Sequence, residues 1–270
     1  MKDWLEEAWQ KIRSLTNFKP EVGIILGTGL GRLAREIEAV KIIPYSEIPH
    51  FPKPTVESHT GRLIFGYLKK RPVCAFEGRF HFYEGYSMFE ITLPVRVMKK
   101  LGVEIMIVSN AAGGLNPLFQ PGDVMMITDH INFLPDNPLR ALTDPEFGPR
   151  FPDMFQCYDP KLIVLAEEVA LELKIPLRKG VYIAVSGPNL ETAAEYRLFR
   201  QFGADAVGMS TVPEVIVARQ VGIKVLGFSV ITDMGLPDAL KPVDLKEILH
   251  NAGKAEPKLT SLIKGVIGRL

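Results

Sequence analysis

Residues 77–86, E-G-R-F-H-F-Y-E-G-Y, carry an arginine, a histidine and a tyrosine at alternate positions. Alternate side chains of an extended chain point to the same face, so Arg79, His81 and Tyr83 would form one row. Glu84 would lie on the opposite face, where it could orient His81 or only pair in the core. A fixed cation beside an imidazole and a phenol suits an anion. The stretch therefore predicts an anion or substrate site rather than a solvated strand edge.

The composition excludes several classes of function. The 270-residue chain has 47% hydrophobic and 23% charged residues, as in ordinary globular proteins. Its formal net charge of +1 provides no long-range attraction for nucleic acid or an anionic membrane, so any anion site must be local. No apolar run approaches the roughly 20 residues that span a bilayer, and the first residues do not resemble a signal peptide. These features predict a cytoplasmic protein.

Neither metal chemistry nor a serine triad is predicted by the motifs. The two cysteines, Cys74 and Cys157, form no C-x-x-C pair, and the histidines and acidic residues lack the spacing of metal ligands. No G-x-S-x-G sequence is present to form a nucleophile elbow. No linker or internal repeat divides the chain, so we expect a single domain over residues 1–270.

Strand and helix patterns alternate along the chain. Apolar runs predict buried strands at residues 22–26, 103–109, 124–132, 181–185, 204–209 and 224–231, and residues 58–67 are typical of a turn that enters a strand. Helical spacing predicts helices at residues 1–15, 88–101, 161–174, 244–254 and 257–268, with a kink or break at Pro94. Two more helices are expected after Thr192 and Thr211, because each precedes a glutamate by three residues, the capping-box spacing. The alternation predicts a three-layer α/β/α sandwich with a mixed, largely parallel central sheet.

Polar residues recur where the predicted strands end. In open α/β sheets ligands collect at the carboxyl ends of strands, so we expect these side chains to meet. They are Thr28, Asn110, Glu191, Ser210 and Asp233. Thr28 lies in a G-T-G-L-G turn between a strand and a helix start, where backbone N–H groups could bind a phosphate.

The chain resembles the trimeric purine nucleoside phosphorylases, in the wider nucleoside phosphorylase family that includes methylthioadenosine phosphorylase. The resemblance extends over nearly the whole chain. It depends on G-T-G-L-G, H-T-G-R-L, E-G-R-F-H-F-Y-E-G-Y, N-A-A-G-G-L-N, D-H-I-N-F, G-F-S-V-I-T-D and, most specifically, G-A-D-A-V-G-M-S-T-V-P-E-V-I-V-A-R at residues 203–219.

This resemblance implies that inorganic phosphate, as co-substrate, cleaves a purine ribo- or deoxyribonucleoside to free base and pentose 1-phosphate, with no metal or organic cofactor. The phosphate-binding residues it implies are Thr28, His59, Arg79, His81, Ala111 and Ser210. Tyr83 and Met209 would contact the ribose. Glu191 would pair with the purine N1 edge and Asp233 with the N7 and C6 side, and with His81 they form the implied catalytic set. Phe147 would enter the ribose pocket of a neighbouring subunit, which implies a homotrimer.

Two departures from the family pattern concern the substrate. Relatives that prefer 6-oxopurines usually have Asn where this chain has Asp233, and an ionised Asp can only accept hydrogen bonds. Adenosine is therefore a plausible substrate, although Glu191 accepts better from the N1–H of hypoxanthine or guanine. Near the sugar 5′ position a usual histidine is replaced by Val243, Leu245 or Lys246, and an apolar pocket there would admit a 5′-methylthio group.

Three hypotheses follow. The first is a purine nucleoside phosphorylase that favours inosine and guanosine, with adenosine as a possible further substrate. The second is a 5′-methylthioadenosine phosphorylase, and the third is a nucleoside-binding module without catalysis. The third explains less, because a pure binder does not need the residues implied for phosphate.

Overall fold

A computed structural model describes residues 1–27, 31–53, 55 and 60–270. Thr28 and His59 lie outside these residues. The strands are β1 (Val22–Leu26), β2 (Glu38–Pro44), β3 (Arg62–Leu68), β4 (Arg71–Glu77), β5 (Ile105–Gly114), β6 (Val124–Asn132), β7 (Leu177–Ala184), β8 (Ala206–Gly208) and β9 (Lys224–Met234). The helices are α1 (Lys2–Leu15), α2 (Arg32–Arg35), α3 (Met88–Leu101), α4 (Pro160–Glu172), α5 (Ala193–Gln201), α6 (Val212–Gln220) and α7 (Leu245–Arg269).

The strands form one mixed sheet with the order β2-β3-β4-β1-β5-β8-β7-β6-β9. Strand β5 also pairs with β9, so the last five strands of this order close on themselves as a small barrel. The pairs β1–β4, β1–β5, β5–β9, β6–β7 and β7–β8 are parallel, and the others are antiparallel. The predicted mixed sheet is confirmed.

Helices cover both faces of the sheet, as the alternation along β4 illustrates. Cys74 and Phe76 are buried in one hydrophobic cluster, while Val73 and Ala75 are buried in another on the opposite face. Residues of α1, α3 and α6 fill the first cluster, and residues of α2, α4 and α7 fill the second. The three-layer α/β/α arrangement is therefore confirmed.

Pro94, expected to kink or break a helix, and Pro257, expected to begin one, both lie inside continuous helices. Helix α3 continues through Pro94, and α7 continues through Pro257, so the two closing helices predicted at 244–254 and 257–268 are one. Each proline is followed by residues buried in a hydrophobic cluster, such as Val95 in α3 and Leu259 in α7. Packing on the sheet therefore outweighs the hydrogen bond that each proline removes.

Strand β5 is longer than predicted and includes the small residues of N-A-A-G-G. The prediction ended the strand at Ser109, but pairing with β9 continues to Gly114 opposite Met234. Strands β2 and β4 were covered by no prediction, and β4 ends at Glu77, where an extended stretch was expected to begin. Within the described ranges, no helix is both long and apolar enough to cross a membrane.

We expect Gly66→Ala to destabilise the sheet. A methyl group on Gly66 would overlap the carbonyl oxygen of Glu38 in β2 and lie 2.9 Å from Ala39 Cα. Such overpacking against backbone lowers the free energy of unfolding by about 1–3 kcal/mol. Gly253→Ala is the control, because no heavy atom lies within 4 Å of its added methyl and alanine favours the helix by about 0.5–1 kcal/mol. Thermal unfolding of both variants tests this; an unchanged melting temperature for Gly66→Ala would contradict it.

Candidate active site

The stretch at 77–86 is not a strand, although its side chains meet as predicted. The chain leaves β4 at Glu77 and forms a 3₁₀ turn over Phe82–Glu84. Arg79, His81 and Tyr83 nevertheless line one cavity. The prediction of an extended segment is therefore wrong, because a local turn rather than strand alternation directs these side chains.

Phe80 anchors this turn from behind. Its side chain is buried, and its ring contacts those of Tyr45, Phe51 and Tyr86 at centroid distances of 5.5, 6.4 and 6.0 Å. Such aromatic packing stabilises the segment by more than burial alone. The functional side chains next to it thus project from a fixed backbone.

Arg79 forms a buried ion pair with Glu214 of α6. Its Nε donates to Glu214 Oε1 at 3.0 Å, and Nη1 donates to the carbonyl of Ser109 at 2.7 Å and to Ser210 Oγ at 3.2 Å. Both charged side chains are almost fully buried, which requires that each charge be compensated. The expected capping box of Thr211 and Glu214 is therefore wrong: the Thr211 side chain caps nothing, and Glu214 is engaged by the arginine.

Glu84 orients His81. One carboxylate oxygen accepts from the His81 backbone N–H and lies 2.8 Å from Nδ1, while the other accepts from the backbone N–H of Thr55 at 2.8 Å and from its hydroxyl. Burial disfavours the charge, but the hydrogen bonds from His81 and Thr55 outweigh it and lower the pKa of Glu84 to about 2. The Tyr83 ring stacks on the imidazole at 4.7 Å. Of the two predicted roles for Glu84, orientation of His81 is the one the geometry supports.

One cavity of about 420 Å³ brings together most of the predicted site residues. Those that line it are Arg79, His81, Tyr83, Ala111, Glu191, Met209, Ser210 and Asp233. They come from the ends of β4, β5, β8 and β9 and from the segment before α5, as expected for ligand sites in α/β sheets. Asn110, also predicted from its strand end, lines the same cavity.

Two carboxyl groups in the cavity wall are shifted toward the protonated form. Burial raises the pKa of both Glu191 and Asp233. Thr232 Oγ1 donates to Asp233 Oδ1 at 2.7 Å. A protonated carboxyl can donate as well as accept, so this part of the cavity suits a ligand edge that carries both kinds of group.

Several cavity residues were not predicted. Tyr196 in α5 and Ile248 in α7 face the cavity from helices, and no motif or spacing distinguishes them from ordinary helical residues. Of the three candidates near the sugar 5′ position, Leu245 lines the cavity, while Val243 and Lys246 are not among its lining residues. The wall contributed by α7 is therefore apolar.

Phe147 lies outside this cavity and is buried in its own chain. Its side chain is 6% exposed, with the Arg96 guanidinium 5.1 Å from the ring centroid and the Phe89 ring at 6.2 Å. Phe151, four residues later, is 86% exposed. The burial argues against Phe147 as the ring offered to a neighbouring subunit, because its own core already covers it.

No group of three or more His, Cys, Asp or Glu side chains suited to a metal occurs within the described part of the chain. His130, Asp129 and Cys157 lie near one another, with Cys157 Sγ 3.8 Å from His130 Nδ1. Burial lowers the pKa of His130 to about 4 and raises that of Cys157 to about 11, so the thiol is not activated.

We expect the stabilising effect of Glu84 to disappear in acid. Its carboxyl is ionised in the folded protein down to about pH 2 but protonates near the ordinary value of 4.5 in the unfolded chain. Its contribution to stability is therefore complete above about pH 5 and lost as the pH falls through that interval. Glu84→Gln should lower the free energy of unfolding at pH 7 by about 1.5–3 kcal/mol, the range for hydrogen bonds to a charged group.

Urea unfolding of wild type and Glu84→Gln between pH 7 and pH 3 measures this difference. Glu90→Gln is the control, since Glu90 makes matching hydrogen bonds to Ser87 at the start of α3, away from the cavity. A difference between wild type and Glu84→Gln that stays constant down to pH 3 would contradict the proposed ionisation.

The comparisons with known proteins agree with this geometry. Residues 21–268 match the Phosphorylase superfamily. Purine nucleoside phosphorylase 1 of Bacillus subtilis (strain 168) is 50% identical over 269 residues, which cover 100% of this chain and 99% of the relative.

Two solved structures from Schistosoma mansoni share the fold. Isoform 2 of purine nucleoside phosphorylase, in complex with cytosine and ribose-1-phosphate, superposes with a TM-score of 0.94 at 42% identity and covers 99% of this chain and 96% of that one. A purine nucleoside phosphorylase in complex with inosine gives a TM-score of 0.93 at 40% identity, with the same coverage. The chain therefore belongs to the purine nucleoside phosphorylases of the Phosphorylase superfamily.

Proposed function

We propose that this enzyme catalyses phosphorolysis of purine ribo- and deoxyribonucleosides, in which inorganic phosphate replaces the base at C1′ to give free purine and pentose 1-phosphate. The observation that carries the proposal is one cavity lined by a buried arginine and serine and by two carboxyl groups of raised pKa. Relatives named for this activity share about half of the sequence over its whole length. The methylthioadenosine and non-catalytic hypotheses are disfavoured by the same similarity.

Phosphate is bound by the arginine and hydroxyl side of the cavity. In the proposal its ligands are Thr28, His59, Arg79, His81, Ala111 and Ser210. The contact between Arg79 Nη1 and Ser210 Oγ supports this assignment, since both groups can donate to one anion. The charge of Arg79 is already balanced by Glu214, so the guanidinium serves as a positioned donor rather than as an excess positive charge.

The nucleoside lies between the phosphate and the carboxyl groups. Tyr83 and Met209 contact the ribose, and Glu191 and Asp233 bind the purine. As the glycosidic bond lengthens, positive charge develops on the sugar and negative charge on the base. A phosphate held beneath C1′ stabilises the first, and hydrogen-bond donation from a protonated Asp233 stabilises the second. Burial, which favours the protonated form of Asp233, supports this role.

The reaction as proposed needs no metal or organic cofactor, because both charges are stabilised by side chains and by the co-substrate. We further propose that the chain acts as a single domain over residues 1–270, as a cytoplasmic homotrimer with no nucleic acid or membrane partner. A neighbouring subunit would complete the ribose pocket with an aromatic ring. The exposure of Phe151 makes it a better candidate for this ring than the buried Phe147.

Turnover of four nucleosides with and without phosphate tests the proposal. We expect inosine and guanosine to be cleaved at least about tenfold more efficiently than adenosine, in view of the N1–H that Glu191 can bind. 5′-Methylthioadenosine should be the poorest substrate. A preference for it would instead support a methylthionucleoside phosphorylase, and tight nucleoside binding without phosphate-dependent product would support a non-catalytic module.

Asp233→Asn should shift the preference further toward 6-oxopurines. Asparagine donates at every pH, whereas Asp233 donates only while protonated, and the protonated fraction falls as pH rises. We expect the inosine-to-adenosine ratio of kcat/KM to increase about tenfold, the effect of about one hydrogen bond. The decline of inosine turnover on the alkaline side should also become shallower in the variant.

Asp238→Asn makes the same change at an exposed aspartate that pairs with Arg197 outside the cavity, and serves as control. The pH profile of kcat/KM for inosine and adenosine is the measurement. An unchanged substrate ratio in Asp233→Asn would exclude a direct role of this residue at the base.

A further inference from the structure

Thr211 has a strained backbone directly beside the cavity. Its φ of 71° and ψ of −51° lie outside the regions that a β-branched residue normally adopts. The Val212 N–H donates to the Ser210 carbonyl at 2.8 Å, which closes a three-residue turn around Thr211. This turn joins Ser210 to the first residue of α6. Strain of this kind persists only where surrounding contacts hold it.

Asn110 at the cavity wall supplies one of those contacts. Its Nδ2 donates to Thr211 Oγ1 at 2.8 Å, and Thr211 Oγ1 lies 3.2 Å from Ser210 Oγ. Arg79 Nη1 donates to the same serine oxygen from the other side. All four side chains are buried. They form a continuous chain of hydrogen bonds from β5 to the serine.

The amide donor of Asn110 decides which of the two hydroxyl groups, Thr211 or Ser210, donates the hydrogen bond between them. Within the described part of the molecule, the Thr211 hydroxyl is in hydrogen-bond distance of only two groups, Asn110 Nδ2 and Ser210 Oγ. With Asn110 Nδ2 as the amide group that faces Thr211, the threonine proton has an acceptor only in Ser210 Oγ. If the serine donated to the threonine instead, the buried threonine proton would have no acceptor, which is unfavourable in a site closed to water. Thr211 therefore donates to Ser210.

The serine proton is thereby directed away from Thr211. Ser210 Oγ accepts from both Thr211 and Arg79, so its own hydrogen must point to another acceptor, and Ser210 lines the cavity. We propose that Asn110 and Thr211 are positioning residues that hold the Ser210 hydroxyl as a donor toward bound phosphate. The proposal rests on the phosphate-binding role of Ser210 in the proposed function.

Thr211→Val tests the proposal, because valine keeps the β-branch and its backbone strain but lacks the hydroxyl. We expect the KM for phosphate to increase about tenfold, the loss of a hydrogen bond to a charged group, with the KM for inosine unchanged. Thr211→Ser retains the hydroxyl, so its phosphate KM should stay within about twofold of the wild-type value, because no hydrogen bond is lost. A merely structural role would not separate the two KM values.

Thr92→Val is the matched control. Thr92 is fully buried in α3, and its hydroxyl donates to the Met88 carbonyl at 2.7 Å, away from the cavity. This variant should lose stability in thermal unfolding but keep the phosphate KM. Asn110→Ala removes the donor at the other end of the chain, and the double variant Asn110→Ala/Thr211→Val should show less than the sum of the two effects.

Isothermal titration of the protein with inorganic phosphate separates this inference from the proposed function. Loss of phosphate affinity in Thr211→Val supports the positioning role even if the wild type releases no base. Wild-type turnover with an unchanged phosphate KM in Thr211→Val would overturn it, as would an equal rise in both KM values. If Thr211→Val does not fold, an unchanged phosphate KM in Asn110→Ala overturns it by itself.

Discussion

The buried ion pair of Arg79 and Glu214 is the interaction on which the site depends. The two residues are 135 positions apart, and their side chains are only 2% and 3% exposed. Removal of one partner from such a pair leaves an uncompensated charge at a cost of about 3–5 kcal/mol. The pair therefore fixes α6 against the turn after β4, and with them the guanidinium, Ser210 and the strained turn at Thr211. Binding geometry and fold stability are inseparable at this point.

Residue spacing along the chain correctly predicted the elements whose side chains make no stronger interaction with a distant residue. Strands β1 and β6 have the predicted bounds, and the capping box of Thr192 and Glu195 is present, because their patterns depend on neighbours in the chain. The same spacing failed at Thr211 and Glu214, since Arg79 provides Glu214 with a stronger, charged partner. The extended interpretation of 77–86 failed for a local reason, the reach of the Glu84 carboxylate back to His81.

The meeting of the site residues followed from their positions at strand ends. Asn110, Ser210 and Asp233 line one cavity because β5, β8 and β9 are joined in one sheet and carry them near their carboxyl ends. Residues on helices escaped this rule. Tyr196 and Ile248 line the cavity because of how α5 and α7 pack, and that packing cannot be predicted from the spacing of residues in one sequence. The burial of Phe147 likewise depends on Arg96 and Phe89, distant in the chain.

Because β9 closes the barrel, the pairing of β5 cannot be completed until late in the synthesis of the chain. Strands β1, β3 and β4 pair within the first 77 residues, and β5 can join β1 soon after it leaves the ribosome. The other edge of β5 must wait for β9, which begins at Lys224, and until then it presents unpaired backbone. Such long-range pairing slows folding, and an open, apolar strand edge invites association with other nascent chains. The arrangement that assembles the cavity thus also exposes the incomplete chain to association until β9 has been made.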